Sequence, residues 1–231
     1  GGQGTVNFRY SFIGTGTRDT HFQSNFSRVE ETYGNTVTFS DFTGEIVDSF
    51  AEWKGLLETV FTGLTVNFIN KGEETGSVPW NMHNVGNTFA EQQSTYFSQM
   101  LSTFFPYNSG CVLNQSGNYG GDIILTEGKT FRLDSQSVSG AFSIKYIMCQ
   151  QIGRMLGVTL SDHMDSILFS PKDGTADIYA NYNFSTLFPN GLSGSRPDQD
   201  LVLYSFLGDK EQSSLTANKA KAEATSTDLF S

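Results

Sequence analysis

The sequence predicts an α+β domain in which an open, twisted, mixed sheet of about five strands packs on a long N-terminal helix. Two patterns lead to this prediction. Residues 6–12 alternate polar and apolar side chains, which is typical of a half-buried strand. From about Asp41, apolar residues recur at helical spacing with charged residues between them, which indicates an amphipathic helix. The apolar residues of this helix are Ile46, Phe50, Trp53, Leu57 and Phe61.

The remaining elements follow the same periodicities along the chain. Residues 144–156 keep near-helical apolar spacing and are followed by Gly157, a common helix terminator. A short helix is predicted from Arg196, because a proline and acidic residues lie in its first turn and Gly208 follows its end. Further strands are predicted at residues 64–68 and 78–82.

Length and composition place limits on the function. A chain of 231 residues can bury a substantial core, and we assign residues 1–208 to one domain and 209–231 to a polar tail or connector. The net charge of −10 argues against nucleic acid and anionic membranes as partners. No run of eighteen apolar residues occurs, so no membrane span is predicted.

The 20 Phe and 9 Tyr, together with only 16% charged residues, resemble the composition of extracellular or particle-associated proteins. The two cysteines, Cys111 and Cys149, are too few for a disulfide framework, and form either one bridge or two thiols.

The segment around Ile152-Gly153 and Leu156-Gly157-Val158 resembles the active-site helix of the metzincin metalloproteases, as in a matrixin/serralysin-like catalytic domain. The family pattern is His-Glu-x-x-His-x-x-Gly-x-x-His, followed by a turn that contains a methionine. The apolar and glycine positions around these histidines match here, but the residues that would bind zinc, act as the base and form the methionine turn are replaced. The three histidine positions, the glutamate position and the methionine position hold Gln150, Arg154, Leu160, Gln151 and Leu168 respectively.

Other segments extend the resemblance from about Val6 to Gly208. Ala51-Glu52-Trp53 resembles the long first helix of the family, and residues 120–126 resemble a family strand whose histidine and calcium-binding aspartate are Ile124 and Thr126 here. Residues 100–106 resemble the edge strand that lines the substrate cleft in matrixins. In that strand Phe104, Phe105 and Pro106 match the family, while Ser102 replaces a histidine that binds structural zinc.

The resemblance implies a metzincin-like fold without the metzincin reaction. A zinc hydrolase needs three donor ligands, an open coordination position and a carboxylate base, and the residues at these positions supply none of them. We therefore expect a pseudoenzyme with no cofactor and no metal. The guanidinium of Arg154 is expected to occupy the space of the cation and to pair with Asp162, Asp165 or a carbonyl oxygen.

The predicted function is that of a structural or binding subunit in an extracellular or virion-like assembly, with other protein chains as partners. An edge strand can accept an extended segment from another chain. The predicted binding residues are Met100, Ser102, Phe104, Phe105 and Pro106. The tail of residues 209–231 is a second candidate contact region.

Two enzymatic alternatives remain open at this stage. One is a zinc-dependent endopeptidase with displaced ligands, for which His163 with Asp162 and Asp165, and also His83, are the candidates. The other is a cysteine hydrolase that uses Cys149 and His163. Both compete with a simpler interpretation, in which the loop around His163 is polar and Cys149 is a small buried residue.

Overall fold

The computed structural model of the chain is an α+β fold, and it describes residues 4–13, 38–74, 85–90, 101–103, 123–126, 131–169 and 182–206. Its strands are β1 (Gly4–Ile13), β2 (Leu64–Glu74), β3 (Val85–Ala90), β4 (Leu101–Thr103), β5 (Ile123–Thr126), β6 (Phe131–Arg132) and β7 (Phe142–Ser143). Its α-helices are α1 (Phe39–Val60), α2 (Ile144–Met155), α3 (Phe184–Leu187) and α4 (Arg196–Phe206), with a 3-10 turn at Leu192–Gly194. None of the helices in these described ranges is both long and apolar enough to cross a bilayer.

The strands form three hydrogen-bonded groups. β1 and β2 are parallel, with Gly4 beside Leu64. β3 is parallel to β5, and β4 lies antiparallel on the other side of β5, so β4 is at an edge of this group among the described strands. β6 and β7 form a short parallel pair. A single five-stranded sheet is not confirmed by this hydrogen bonding, and the strand predicted at residues 78–82 lies outside the described residues.

The β1–β2 pair has one apolar face, which packs on α1. Tyr10 and Val66 are buried, whereas Asn7 and Thr65 are exposed, in agreement with the alternation in the sequence. The ring of Tyr10 stacks on the ring of Phe50 in α1, with the centroids 4.0 Å apart. This contact packs the β1–β2 pair against α1 and forms part of the hydrophobic core.

Helix α1 begins with a capping box. The Thr38 hydroxyl accepts a hydrogen bond from the backbone N–H of Asp41, and the Asp41 carboxylate accepts one from the backbone N–H of Thr38. The predicted apolar stripe faces the core: Ile46, Phe50, Trp53 and Leu57 are all at most 5% exposed. The amphipathic pattern therefore identified the buried face of this helix correctly.

Helices α1 and α2 meet at a glycine. The indole N–H of Trp53 donates a hydrogen bond to the carbonyl oxygen of Cys149, at 2.6 Å, and the indole ring lies against Gly153. A Cβ atom placed on Gly153 would lie 2.4 Å from the Trp53 ring and 2.8 Å from the side chain of Leu168. The close approach of these two helices thus requires a residue without a side chain at position 153.

A second buried polar region precedes α2. The guanidinium of Arg132, only 4% exposed, donates to neutral oxygen atoms. These acceptors are the carbonyl oxygens of Ala141, Leu133, Gln136 and Tyr182 and the side-chain oxygen of Asn183. Burial raises the pKa of Asp134, but hydrogen bonds from Ser143 and Ser185 and from the N–H of Phe184 outweigh it and hold that pKa below its usual value. Residues 131–143 are therefore tied to the start of α3.

Replacing Gly153 by alanine should destabilise the fold, because the new methyl group would overlap the Trp53 ring. We expect the free energy of unfolding to fall by about 1–3 kcal/mol, as for other overpacked cores. Gly44→Ala is the matched control, since its Cβ would meet no atom within 4 Å on the exposed side of α1. That variant should gain about 0.5–1 kcal/mol from helix propensity. Urea unfolding of both variants is the measurement, and an unchanged midpoint for Gly153→Ala would contradict the packing described here.

Candidate functional site

Helix α2 has well-defined ends that fix the register of the candidate site. The Ser143 hydroxyl accepts a hydrogen bond from the N–H of Tyr146 at 3.2 Å, which caps the N-terminus. At the other end Gly157 has φ +90°, and the N–H of Val158 donates to the carbonyl of Gly153 at 2.9 Å. This is a Schellman-type ending, and it confirms the stop predicted at Gly157.

Three residues that the resemblance aligns with ligand and base positions, Gln150, Gln151 and Arg154, are linked by a polar chain along α2. Arg154 Nη1 donates to Gln151 Oε1 at 3.3 Å, and Gln151 Nε2 donates to Gln150 Oε1 at 3.1 Å. Gln150 Nε2 then donates to the backbone carbonyl of Phe169 at 3.0 Å. Gln150 and Gln151 are 6% and 2% exposed. These three residues therefore form one hydrogen-bonded unit, which ties α2 to Phe169 in the segment that follows the helix.

This unit lacks the groups that zinc hydrolysis requires. An amide cannot accept a proton near neutral pH, and the amide oxygens of Gln150 and Gln151 are already hydrogen-bond acceptors. Arg154 is half-buried, and its Nη1 donates to the side-chain oxygen of Gln151, three residues earlier on the same helix. The placement of its guanidinium in the space of a cation stays a prediction. An acidic partner at Asp162 or Asp165 stays a prediction.

The two leucines at degenerate positions differ in their surroundings. Leu160, at the third ligand position, is 44% exposed, and thus does not share the burial of Gln150. Leu168, at the position of the turn methionine, is fully buried and lies against Gly153. The N–H of Ser161 donates to the carbonyl of Leu168 at 2.8 Å, so the loop of residues 161–169 closes on itself beneath the helix.

Asp198, in the first turn of α4, holds this loop from the other side. Its carboxylate accepts hydrogen bonds from the Ser166 hydroxyl at 2.7 Å, from the Ile167 N–H at 3.1 Å and from the Ser195 hydroxyl. The residue is 1% exposed. Burial raises the pKa of Asp198 by more than these hydrogen bonds lower it. The loop is therefore fixed between α2 and α4.

The contact of Asp198 with the loop was not predicted from the sequence. The sequence predicts Asp198 only as an acidic residue in the first turn of a helix. The available signal is the spacing from Ser195 to Asp198, which is typical of a capping box and marks the start of the helix. It does not indicate that residues 166 and 167 lie within reach.

Neither enzymatic alternative finds a suitable arrangement in the described residues. His163 is exposed and its Nδ1 accepts a hydrogen bond from the N–H of Asp165 at 3.3 Å. Within the ranges that the structure describes, histidine, cysteine and acidic side chains do not gather in groups of three that could hold a metal ion. His83 lies outside those ranges.

Cys149 does not have the surroundings of a nucleophile. It is a free thiol with no exposed surface, and its Sγ faces the carbonyl oxygen of Ser49 at 4.0 Å. Burial raises the pKa of this thiol well above its usual value, whereas a catalytic cysteine needs a lowered pKa and access to substrate. Cys149 is a small core residue, and Cys111 lies outside the described residues.

The structure places part of the predicted binding strand at an edge. The backbone of Ser102 lies in β4, paired with Ile124 of β5. Met100, Phe104, Phe105 and Pro106 lie outside the described residues, as does the tail of residues 209–231. Helix α2 lies beside both β4 and β5.

Comparison with known proteins adds no family assignment. No protein-family model matches the chain, and no curated protein matches it.

Substituting the two glutamines should reveal that they act as a unit. Gln150→Met and Gln151→Met should each cost about 1–3 kcal/mol, because each leaves a buried polar partner unsatisfied. The double variant should cost less than the sum of the two, by about 0.5–3 kcal/mol. Urea unfolding of the cycle is the measurement. As a control, Gln199→Met in α4 should be additive with Gln151→Met, and additivity of the Gln150–Gln151 pair would contradict the polar chain.

Asp198 should make stability depend on pH in a particular direction. Because its pKa is raised in the folded state, the folded protein binds a proton more readily than the unfolded chain. The stability contributed by this group is thus fully present below the ordinary pKa of 3.8 and is lost as pH rises through the folded pKa. Asp198→Asn should remove this part of the pH dependence of the free energy of unfolding.

The same substitution should lower stability above that range by about 1–3 kcal/mol, because the donors of the loop lose a carboxylate acceptor. Asp200→Asn is the control, since this neighbour on α4 is half exposed and should leave the pH profile nearly unchanged. A profile for Asp198→Asn that runs parallel to that of the wild type would contradict the assignment.

Proposed function

We propose that this chain is a catalytically inactive protein with a metzincin-like fold, which serves as a structural or binding subunit of an extracellular or virion-like assembly. The observation that carries the proposal is the polar chain from Arg154 through Gln151 and Gln150 to the carbonyl of Phe169. These side chains stand where the resemblance implies two zinc ligands and a catalytic base. Their hydrogen bonds use the groups to hold a loop in place.

The arrangement of the elements supports the metzincin-like fold. β1 pairs with β2 on one side and lies next to β3, which in turn pairs with β5, and β4 is antiparallel at the far edge. This order is compatible with one open, mixed sheet that has β4 as its edge strand. The long helix α1 packs on α2, and the loop containing Leu168 lies beneath α2, as the resemblance implies for the first helix, the active-site helix and the methionine turn.

A role without catalysis follows from the chemistry of the side chains. Zinc in proteins is held by thiolate, imidazole or carboxylate groups, and the hydrolytic reaction needs a base to accept a proton from the bound water. The polar chain contains two neutral amides and one guanidinium, and the guanidinium cannot lose its proton in a protein. The side chains at these positions therefore do not support the hydrolytic reaction.

The edge position of β4 supports a role in binding. An edge strand presents unpaired N–H and C=O groups, which can pair with an extended segment of another chain. A substrate would be held in the same way in an active relative, so a partner segment can use this edge without being cleaved. Partners of this kind are other protein chains of an assembly, and the negative net charge disfavours nucleic acid.

The extracellular or virion-like setting is supported by composition alone. The chain is rich in phenylalanine and tyrosine and has few charged residues. This composition is in line with subunit contacts, because aromatic residues are enriched and lysine and glutamate are depleted in the centres of interfaces.

The proposal is tested by one experiment with two arms. In the first, metal is measured in protein purified without chelator, and we expect far less than one zinc per chain because the donor set is unsuitable. In the second, Ser102→Lys places a charge on β4 and should weaken association with the native assembly by about tenfold or more, since charged side chains protect edge strands from pairing.

Ser137→Lys is the matched control, because it adds the same charge at an exposed position of the 133–141 segment. It should associate as the wild type does. About one equivalent of zinc that resists dialysis would overturn the inactive assignment. A wild-type chain that stays monomeric, with freely exchanging amides in β4, would replace the subunit role with that of a soluble binding module.

A further inference from the structure

The edge of β2 that faces away from β1 is closed at one point by helix α1. The N–H of Val66 donates to the carboxylate of Glu58 at 3.1 Å, and the carbonyl of Val66 accepts from the ammonium of Lys54 at 2.6 Å. In a parallel strand, the N–H and C=O groups of one residue point to the same side, and those of the next residue point to the other side. Since both groups of Val66 are bonded to α1, they face away from β1.

The turn before β2 provides a partner for the preceding backbone N–H that points away from β1. The N–H of Leu64 donates to the carbonyl of Phe61 at 3.0 Å. Leu64 and Val66 occupy alternate positions and share the outer side of the strand. The N–H of Leu64 and both backbone groups of Val66 are thus bonded to groups outside β1, and an incoming strand would have to displace these bonds.

The residues that close the edge also bond to each other. Lys54 and Glu58 form an ion pair four residues apart on α1, with side chains that are 42% and 32% exposed. Exposed pairs of this kind contribute little to stability. In addition, an acid that precedes a base by four residues suits a helix better than the order found here. Helix stability therefore does not explain the pair.

The order of the two charges does suit the strand edge. A carboxylate can accept from an N–H group and an ammonium can donate to a carbonyl group, and each stands opposite the backbone group that it matches. The hydrogen bonds from Lys54 and from the N–H of Val66 also hold the pKa of Glu58 below its usual value. The carboxylate consequently remains ionised near neutral pH.

We propose that the Lys54–Glu58 pair blocks strand addition at the β2 edge, so that of the two edges at β2 and β4 only the β4 edge accepts a strand from another chain. This inference rests on the proposed function and deepens it, because it makes the assembly directional. Without the block, the occupant of the β2 edge would be β2 of a second copy of this chain. β2 has 11 residues and carries the partly exposed Ile69, which makes it long enough for self-pairing.

The charge swap Lys54→Glu with Glu58→Lys separates this role from ordinary ion pairing. It keeps the pair, the spacing and the net charge, and it puts the acid before the base. It also places each charge opposite the wrong backbone group of Val66, so that the edge is no longer capped. We expect self-association to strengthen by about tenfold or more, measured by sedimentation velocity over a range of protein concentrations.

The swap is made in the Ser102→Lys background, so that association through β4 does not mask the result. Hydrogen exchange should slow at the amides of Val66 and Phe68, which face the open side of β2. The matched control is the swap Arg196→Asp with Asp200→Arg, because this exposed pair on α4 has the same spacing and is not bonded to a strand. It should leave association unchanged.

Each result decides between the two proposals separately. A folded swap variant that sediments as its background does would overturn the block at β2, and so would association without protection at Val66 and Phe68. If the swap variant does not fold, Lys54→Ala with Glu58→Ala removes the same caps and decides the question by the same criteria. If Ser102→Lys alone assembles as the wild type does, the proposed role of β4 fails, and the comparison at β2 still stands.

Discussion

The close contact of two helices at Gly153 is the constraint on which the described structure depends. Because this residue has no side chain, the Trp53 ring of α1 can lie against α2, and its N–H can reach the carbonyl of Cys149. Leu168 lies against the same glycine, so the loop of residues 161–169 is held at the same place. One missing methyl group thus allows α1, α2 and the loop to pack together.

The polar chain shows how buried polar side chains are satisfied where α2 meets the loop that follows it. Buried amides and guanidinium groups lose their water and must find partners within the protein. Gln150 and Gln151 find them in each other, in Arg154 and in the backbone at Phe169. Asp198 completes the arrangement by bonding Ser166 and Ile167 from α4. Polar residues that suggest a reactive site therefore act here as connections between elements.

Strand edges carry the proposed function, and the edges of β2 and β4 differ in their protection. At β2 the charged pair of α1 bonds the outward groups of Val66. β4 is a three-residue strand that borders β5. An assembly that grows through only one edge forms defined contacts, whereas a sheet with two open edges can extend without limit. The protection of one edge is thus a natural requirement of a subunit that uses the other.

The sequence by itself determined the helices and strands that follow from local patterns, such as apolar spacing and helix-ending glycine. The spacing of Ile46, Phe50 and Trp53 identified α1 and its buried face. Gly157 marked the end of α2, because glycine readily adopts the left-handed conformation, with positive φ, that ends a helix. The same is true of the alternation in β1, which follows from the two-residue period of a strand. In these cases the information lies within a few neighbouring residues.

Only the tertiary structure decided which distant groups meet. Asp198 and Ile167 are separated by 31 positions, and Lys54 and Val66 by 12, and no local rule fixes such distances. The sequence also marked Gln150, Gln151 and Arg154 as replacements in the pattern, but it did not show that they bond to one another. The orientation of these side chains depends on how α2 packs against α1 and the loop. Sequence periodicity is set by the geometry of single elements, whereas these hydrogen bonds are set by how the elements pack.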